Sequence, residues 1–155
     1  MSINYPPNYI RKLEKEFPRL TNGNYTITSH RTKDYNCIAW SFEEITRWWW
    51  PDKYEQYYWP ENVPRVETLE SFIRAYQDIG YYPCFNDNFE RDFQKVAIFV
   101  DSNGAPTHAA RQLSNGKWTS KLGDEVDIEH ELEGVAGQKS PYGNVAQILK
   151  RPTTQ

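Results

Sequence analysis

Cys37 and His108 are the residues of this chain whose types and order suit thiol chemistry. Cys37 stands in YNCIAWS, after an asparagine and before an apolar run, and His108 stands in THAARQL. Attack by sulfur needs a thiolate, and the unpaired N–H groups of a helix N-terminus favour one. It also needs an imidazole to take the proton and return it to the leaving group, and a third polar group to orient that imidazole. First-turn backbone N–H groups can in addition hold a developing oxyanion. The plainer reading of the same residues is a small core cysteine and a hydrogen-bonded strand histidine.

The elements that must position them follow from periodicity. The sequence predicts a helix opened by Asp34 or Asn36 as cap and running to about Trp50, where Pro51 stops it. Its apolar stripe is Ile38, Phe42, Ile45 and Trp49, and Cys37 lies about 100° from the centre of that stripe, at the border of the buried face. An earlier helix spans residues 8 to 17, and a later one carries Leu69, Phe72, Ile73 and Tyr76 and closes at Gly80. The stretch TNGNYTITSHRTKD reads as a polar loop containing His30. QKVAIFVD, PTHAARQL, KWTSKL and NVAQILKR read as strands, with DSNG and SNG as turns. EVDIEHEL, which holds His130, reads as a short helical turn. Helices first and an antiparallel sheet second predict an α+β class, N-terminal helices packed on a C-terminal sheet.

The orienting residue depends on the register of the SNG hairpin. A three-residue loop sets His108 opposite Leu122, and a two-residue turn sets it opposite Gly123, so the side on which Ser120 falls stays open. Asp127 is the first choice for the orienter, with Asp124 and Ser120 as alternatives. Asn36 caps the helix or donates to an oxyanion. Trp40, Trp50, Asn36 and Ser120 are the candidate binding residues. Cys37, His108, Asp127 and His130 are metal-ligand types, but no compact spacing such as CxxC, HxxxH or HExxH is present. No glycine-rich phosphate loop is present either, so neither metal nor cofactor is expected.

Composition bounds the partners. The chain has 155 residues and a formal charge of −3, and its lysines and arginines are scattered, which argues against nucleic acid. It reads as one domain over residues 1–155. No apolar run reaches membrane-spanning length and the polar start is not a secretory signal, so the cytoplasm is the default compartment. Delivery as an effector without a cleaved signal would look the same. Cys37 and Cys84 are expected as free thiols, with Cys84 a packing residue. Aromatics reach 15% of the chain, with Trp48, Trp49 and Trp50 consecutive, which predicts a tryptophan-rich core and one aromatic wall open to a partner.

The order of these parts resembles the papain-like cysteine hydrolase superfamily in its broad sense, which includes the NlpC/P60, CHAP and transglutaminase-like enzymes. THAARQLSNGKWTSKLG is similar to the histidine hairpin of that superfamily, although the cysteine segment NCIAWS lacks the papain signature. The resemblance implies Cys37 as nucleophile, His108 as base and then acid, and an amide substrate in a peptide, a peptidoglycan stem or a side chain. An NlpC/P60 alignment would instead put Lys95 where that family has its histidine. The segments NCIAW, WWWP, YWP, THAARQ, WTSKLG and DIxH also resemble an uncharacterised bacterial domain family, over most of the chain. The expected function is therefore a thiol hydrolase or acyltransferase. The alternative is a non-catalytic binding module whose Trp-rich surface holds a protein or carbohydrate partner.

Overall fold

The computed structural model describes residues 3 to 153. Its centre is a seven-stranded sheet in which every neighbouring pair is antiparallel. The strands are β1 (Tyr25–Ser29), β2 (Tyr82–Cys84), β3 (Phe93–Val100), β4 (Pro106–Gln112), β5 (Trp118–Lys121), β6 (Asp127–His130) and β7 (Asn144–Pro152). In space they run β1-β6-β5-β4-β3-β7-β2. Among the described residues three α-helices accompany them: α1 (Pro7–Glu16), α2 (Cys37–Ser41) and α3 (Leu69–Gln77). The protein is mainly β, which corrects the expected α+β class. Strand β1 lies between α1 and α2 in the chain, and α2 has only five residues.

Both faces of the sheet are covered. Leu13 and Phe17 of the α1 region join Leu20, Phe99, Ala110, Trp118, Val126 and Ile128 on one face. Ile38 and Ala39 of α2, Phe72 and Tyr76 of α3, and Trp49 and Trp59 cover the other, against Val96, Ile98 and Ala109. This explains why β3 reads as a continuous apolar run: Val96, Ala97, Ile98 and Phe99 alternate between two buried faces.

The cysteine helix ends far short of Trp50. Phe42 caps it and Glu43 turns left-handed at φ 61°, with the Glu44 N–H returning to the Ala39 carbonyl. Packing drives the turn, because Phe42 stacks between Trp49 and Tyr76, at 4.1 and 4.4 Å between ring centroids. Ile45 of the expected stripe is 55% exposed. Trp48 to Trp50 then run extended beside Tyr58, with Trp50 N–H to Tyr58 O and Tyr58 N–H to Trp48 O. Extended backbone alternates its side chains, so Trp49 enters the core while Trp48 and Trp50 line a cleft.

Candidate active site

The ladder joining β4 to β5 holds two residue pairs, Arg111 with Thr119 and Gln112 with Trp118. Residues 107 to 110 therefore have no partner strand on that side, and the start of α2 packs where the strands part. The backbone N–H groups of Ala109, Ile38 and Cys37 favour the charged form of the Cys37 sulfur. Asn36 sets the helix start: its side-chain oxygen accepts from Ala39 N–H and Trp49 N–H, at 3.2 and 3.0 Å, and its amide donates to Trp49 O. Every polar atom of that side chain is thus used in capping and in holding the tryptophan segment. Cys37 is only 6% exposed, and burial pushes its thiol up to about 11 against the three amides and the charge of Lys121. The expected lowering at a helix start is absent because a five-residue helix offers little dipole against that desolvation.

His108 leaves β4 on the side facing Phe99, while Ala109 faces α2. The register is that of the three-residue SNG loop, so Ser120 shares the His108 face. His108 Nε2 lies 2.9 Å from Ser120 Oγ, which lies 2.7 Å from His130 Nε2, and His130 Nδ1 lies 2.6 Å from the Glu131 carbonyl oxygen. That oxygen only accepts, so His130 carries its proton on Nδ1. Burial pushes the His130 pKa down to about 4, so the ring is neutral at pH 7 and its Nε2 is an acceptor. Ser120 then donates to His130 and accepts from His108 Nε2–H. The Nδ1 of His108 is left with a bare lone pair, and this fully buried atom has no hydrogen-bond partner among the described residues. Burial first, and then His130, hold His108 well below the usual histidine range.

The aromatic ring of Tyr142 lies flat on His108, 3.9 Å between centroids and 3° between planes. Its loop is held firmly, since Gly143 at φ 71° packs so close that a Cβ there would stand 2.1 Å from the Val100 carbonyl oxygen. Tyr142 also lines the cleft that reaches Cys37, a space of about 350 Å³ bounded by Asn36, Cys37, Trp48, Trp50, Tyr57, Thr107, Gly123 and Tyr142. No side chain on that wall is charged. A family model matches residues 26 to 150 of this chain. The chain belongs to DUF7689, a domain of unknown function. No curated protein and no solved structure matches it. The DUF7689 match contains Cys37, the histidine chain, the whole cleft and all six segments quoted above, and it leaves α1 outside.

Asp127 does not reach His108. It pairs in register with Lys121, one position along from Ser120, and therefore faces the other way. Its Oδ2 accepts from Ser29 Oγ and Tyr35 OH at 2.6 and 2.7 Å, and burial raises its pKa. Asp124 is exposed in the turn between β5 and β6. Lys95 is buried on β3 and bonds Asn86 and Glu90, committed to that loop. Trp40 donates to Thr119 and stacks under Arg111, a packing role, whereas Trp50 does line the cleft. Cys84 is a buried free thiol that donates to the Asn86 carbonyl. Among the described residues no three His, Cys, Asp or Glu side chains stand close enough to hold a metal ion. Nor is any described helix long and apolar enough to cross a membrane.

Sequence reasoning missed His130 and Tyr142. His130 was hidden by the helical reading of EVDIEHEL. The alternation of Asp127, Ile128, Glu129 and His130 is the available signal, because a strand there puts His130 on the Ile128 face, beside Ser120. Tyr142 follows a glycine-bearing loop and carries no motif of its own.

Proposed function

We propose that this protein is a thiol hydrolase or acyltransferase acting on amides, with Cys37 as nucleophile and His108 as base and then acid. The observation that supports this reading is the bare Nδ1 of His108, a buried lone pair on the residue next to Ala109, which packs with Cys37; in the resting structure Cys37 itself makes no hydrogen bond to that atom. The papain-like superfamily lends this reading the order of its groups, a thiol at a helix start followed by a strand histidine. In the resting state both groups are neutral: burial keeps the thiol protonated and the imidazole uncharged. The Cys37 proton passes to His108 Nδ1 as sulfur attacks the carbonyl, and it is then delivered to the leaving amine. Water or an amine resolves the acyl-sulfur bond.

The cleft supports an uncharged substrate group. Trp48 and Tyr57 stack at 5.6 Å between centroids, and Trp50 stands edge-on to Phe72, so these walls are fixed before anything enters. An aromatic or aliphatic side chain beside the amide fits that lining. The second reading is a binding module, favoured by the depth of Cys37 and by its protonated thiol. Incubation with a peptide nitrile bearing phenylalanine next to the warhead separates the two. Intact-mass detection of a one-to-one adduct on Cys37, lost in His108→Gln, supports the hydrolase. Reversible binding of the same peptide without an adduct supports the module.

A further inference from the structure

We infer that Ser120 and His130 stand where other thiol and serine hydrolases keep an orienting carboxylate or amide, and that they act as a proton relay. When His108 takes the Cys37 proton at Nδ1, its own Nε2 proton passes through the Ser120 hydroxyl to His130. The inference rests on the reading of Cys37 and His108 as the reacting pair.

Three observations lead to it. First, the wire is continuous, His108 Nε2 to Ser120 Oγ at 2.9 Å and Ser120 Oγ to His130 Nε2 at 2.7 Å, with all three side chains fully buried. Its polarity is fixed at the far end by the Glu131 carbonyl, which accepts from His130 Nδ1–H. Second, among the described residues no carboxylate is hydrogen-bonded to it. Asp127, the orienter expected from the sequence, is turned to Ser29 and Tyr35, and His108 is packed between Phe99 and Tyr142. A cation left on His108 would be buried among aromatic rings with no counter-charge. Third, His130 is the better resting place for that charge, because its Nδ1–H already donates to a carbonyl oxygen that favours the charged ring. Across the neighbouring strands His130 stands opposite Trp118 and Tyr25, and the Tyr25 hydroxyl is turned away to Glu14.

The protons balance. The S–H proton of Cys37 moves to His108 Nδ1, the Nε2 proton of His108 moves to Ser120 Oγ, and the Ser120 proton moves to His130 Nε2. The result is a thiolate, a neutral His108 of the opposite tautomer, an intact Ser120 hydroxyl and a cationic His130. Reversing the three moves returns the proton to the leaving group.

The rate of Cys37 carbamidomethylation by iodoacetamide, followed by intact mass from pH 6 to 10, tests the relay. The wild type should show a pH-independent plateau near neutrality, supplied by the relay, below the limb where the thiol ionises on its own. His130→Gln still accepts the Ser120 hydrogen bond but takes no proton, so it should lose the plateau by at least about tenfold and keep the alkaline limb. Ser120→Ala should do the same and Ser120→Thr should retain the plateau. If His130→Gln and Ser120→Ala keep the wild-type plateau while His108→Gln loses it, the relay is overturned and the Cys37–His108 pair stands. If His108→Gln keeps it too, the pair also fails. Should the variants not fold, the imidazole ¹⁵N spectrum of the wild type decides: protonated Nε2 on His108 and protonated Nδ1 on His130 are required, and any other assignment overturns the relay.

Discussion

Tyr142 lies parallel on His108 at 3.9 Å between ring centroids, and the same tyrosine forms part of the wall leading to Cys37. One side chain thus roofs the proposed base and borders the path to the proposed nucleophile. Tyr142→Phe keeps the stack and should change stability by less than about 0.5 kcal/mol, since the hydroxyl has no side-chain partner among the hydrogen bonds of the described residues. Tyr142→Ala removes a half-buried ring packed on Phe17, Phe99 and His108 and should cost about 2–3 kcal/mol. Urea unfolding of the two variants measures both. Equal stability would mean that the ring does not hold this part of the core.

Asn36→Ala removes three hydrogen bonds and strands the Trp49 amide and carbonyl in a buried setting. A loss of about 2–3 kcal/mol is expected, with faster alkylation of Cys37 as the helix start loosens. Asn36→Asp keeps both accepted bonds and should recover part of the stability. A thermal melt of Asn36→Ala within a degree of wild type would contradict the cap.

Stability should drain as the solution is acidified through the histidine range. The folded pKa of His130 is pushed down to about 4 by burial, from about 6.5 when unfolded, so between those values the unfolded chain binds more protons. Stability from this residue is whole above about pH 6.5 and is lost as pH falls, by about 3 kcal/mol at pH 4. His108, lowered further by burial and by its neighbour, adds to the loss in the same direction. Asp127 works oppositely: burial raises its pKa, so protonating it gives back part of the loss at the acid end. Denaturant midpoints at pH 7.5, 6 and 5 should decline in order, and a flat series would show that these rings are not held neutral.

The two kinds of tryptophan should separate in function. Trp48→Ala opens the cleft wall and should slow labelling by an aromatic peptide nitrile while leaving the iodoacetamide rate within about threefold. Trp40→Phe removes the hydrogen bond to Thr119 and should cost about 1 kcal/mol of stability without selecting between the two reagents. If both variants slow both reagents equally, the cleft does not read the substrate.

What the sequence disclosed was governed by periodicity. The strands QKVAIFVD, PTHAARQL, KWTSKL and NVAQILKR were legible because apolar runs bounded by turn residues leave few alternatives. Strand β1 was not, since Thr26, Thr28 and Ser29 dilute a strand in which Ile27 alone is fully buried. The helix from Cys37 looked three times longer than it is, because Phe42, Ile45 and Trp49 happen to fall at helical spacing. A tertiary stack of Phe42 between Trp49 and Tyr76 ended it instead. For the site, Cys37 and His108 were visible as residue types in a familiar order, and Ser120 turned on a one-residue register. His130 required knowing that β6 pairs with β5, a contact that no local pattern announces.

The central claim is that His108 takes the proton of Cys37. Its most direct measurement is the carbamidomethylation rate of Cys37 at pH 7, wild type against His108→Gln, with Cys84 as internal reference. A thiol at about 11 leaves about one molecule in 10,000 ionised at that pH, so assistance from an imidazole should be plain. The account predicts that the variant reacts about 100-fold more slowly at Cys37 and unchanged at Cys84. Equal rates at Cys37 in the two proteins would contradict it.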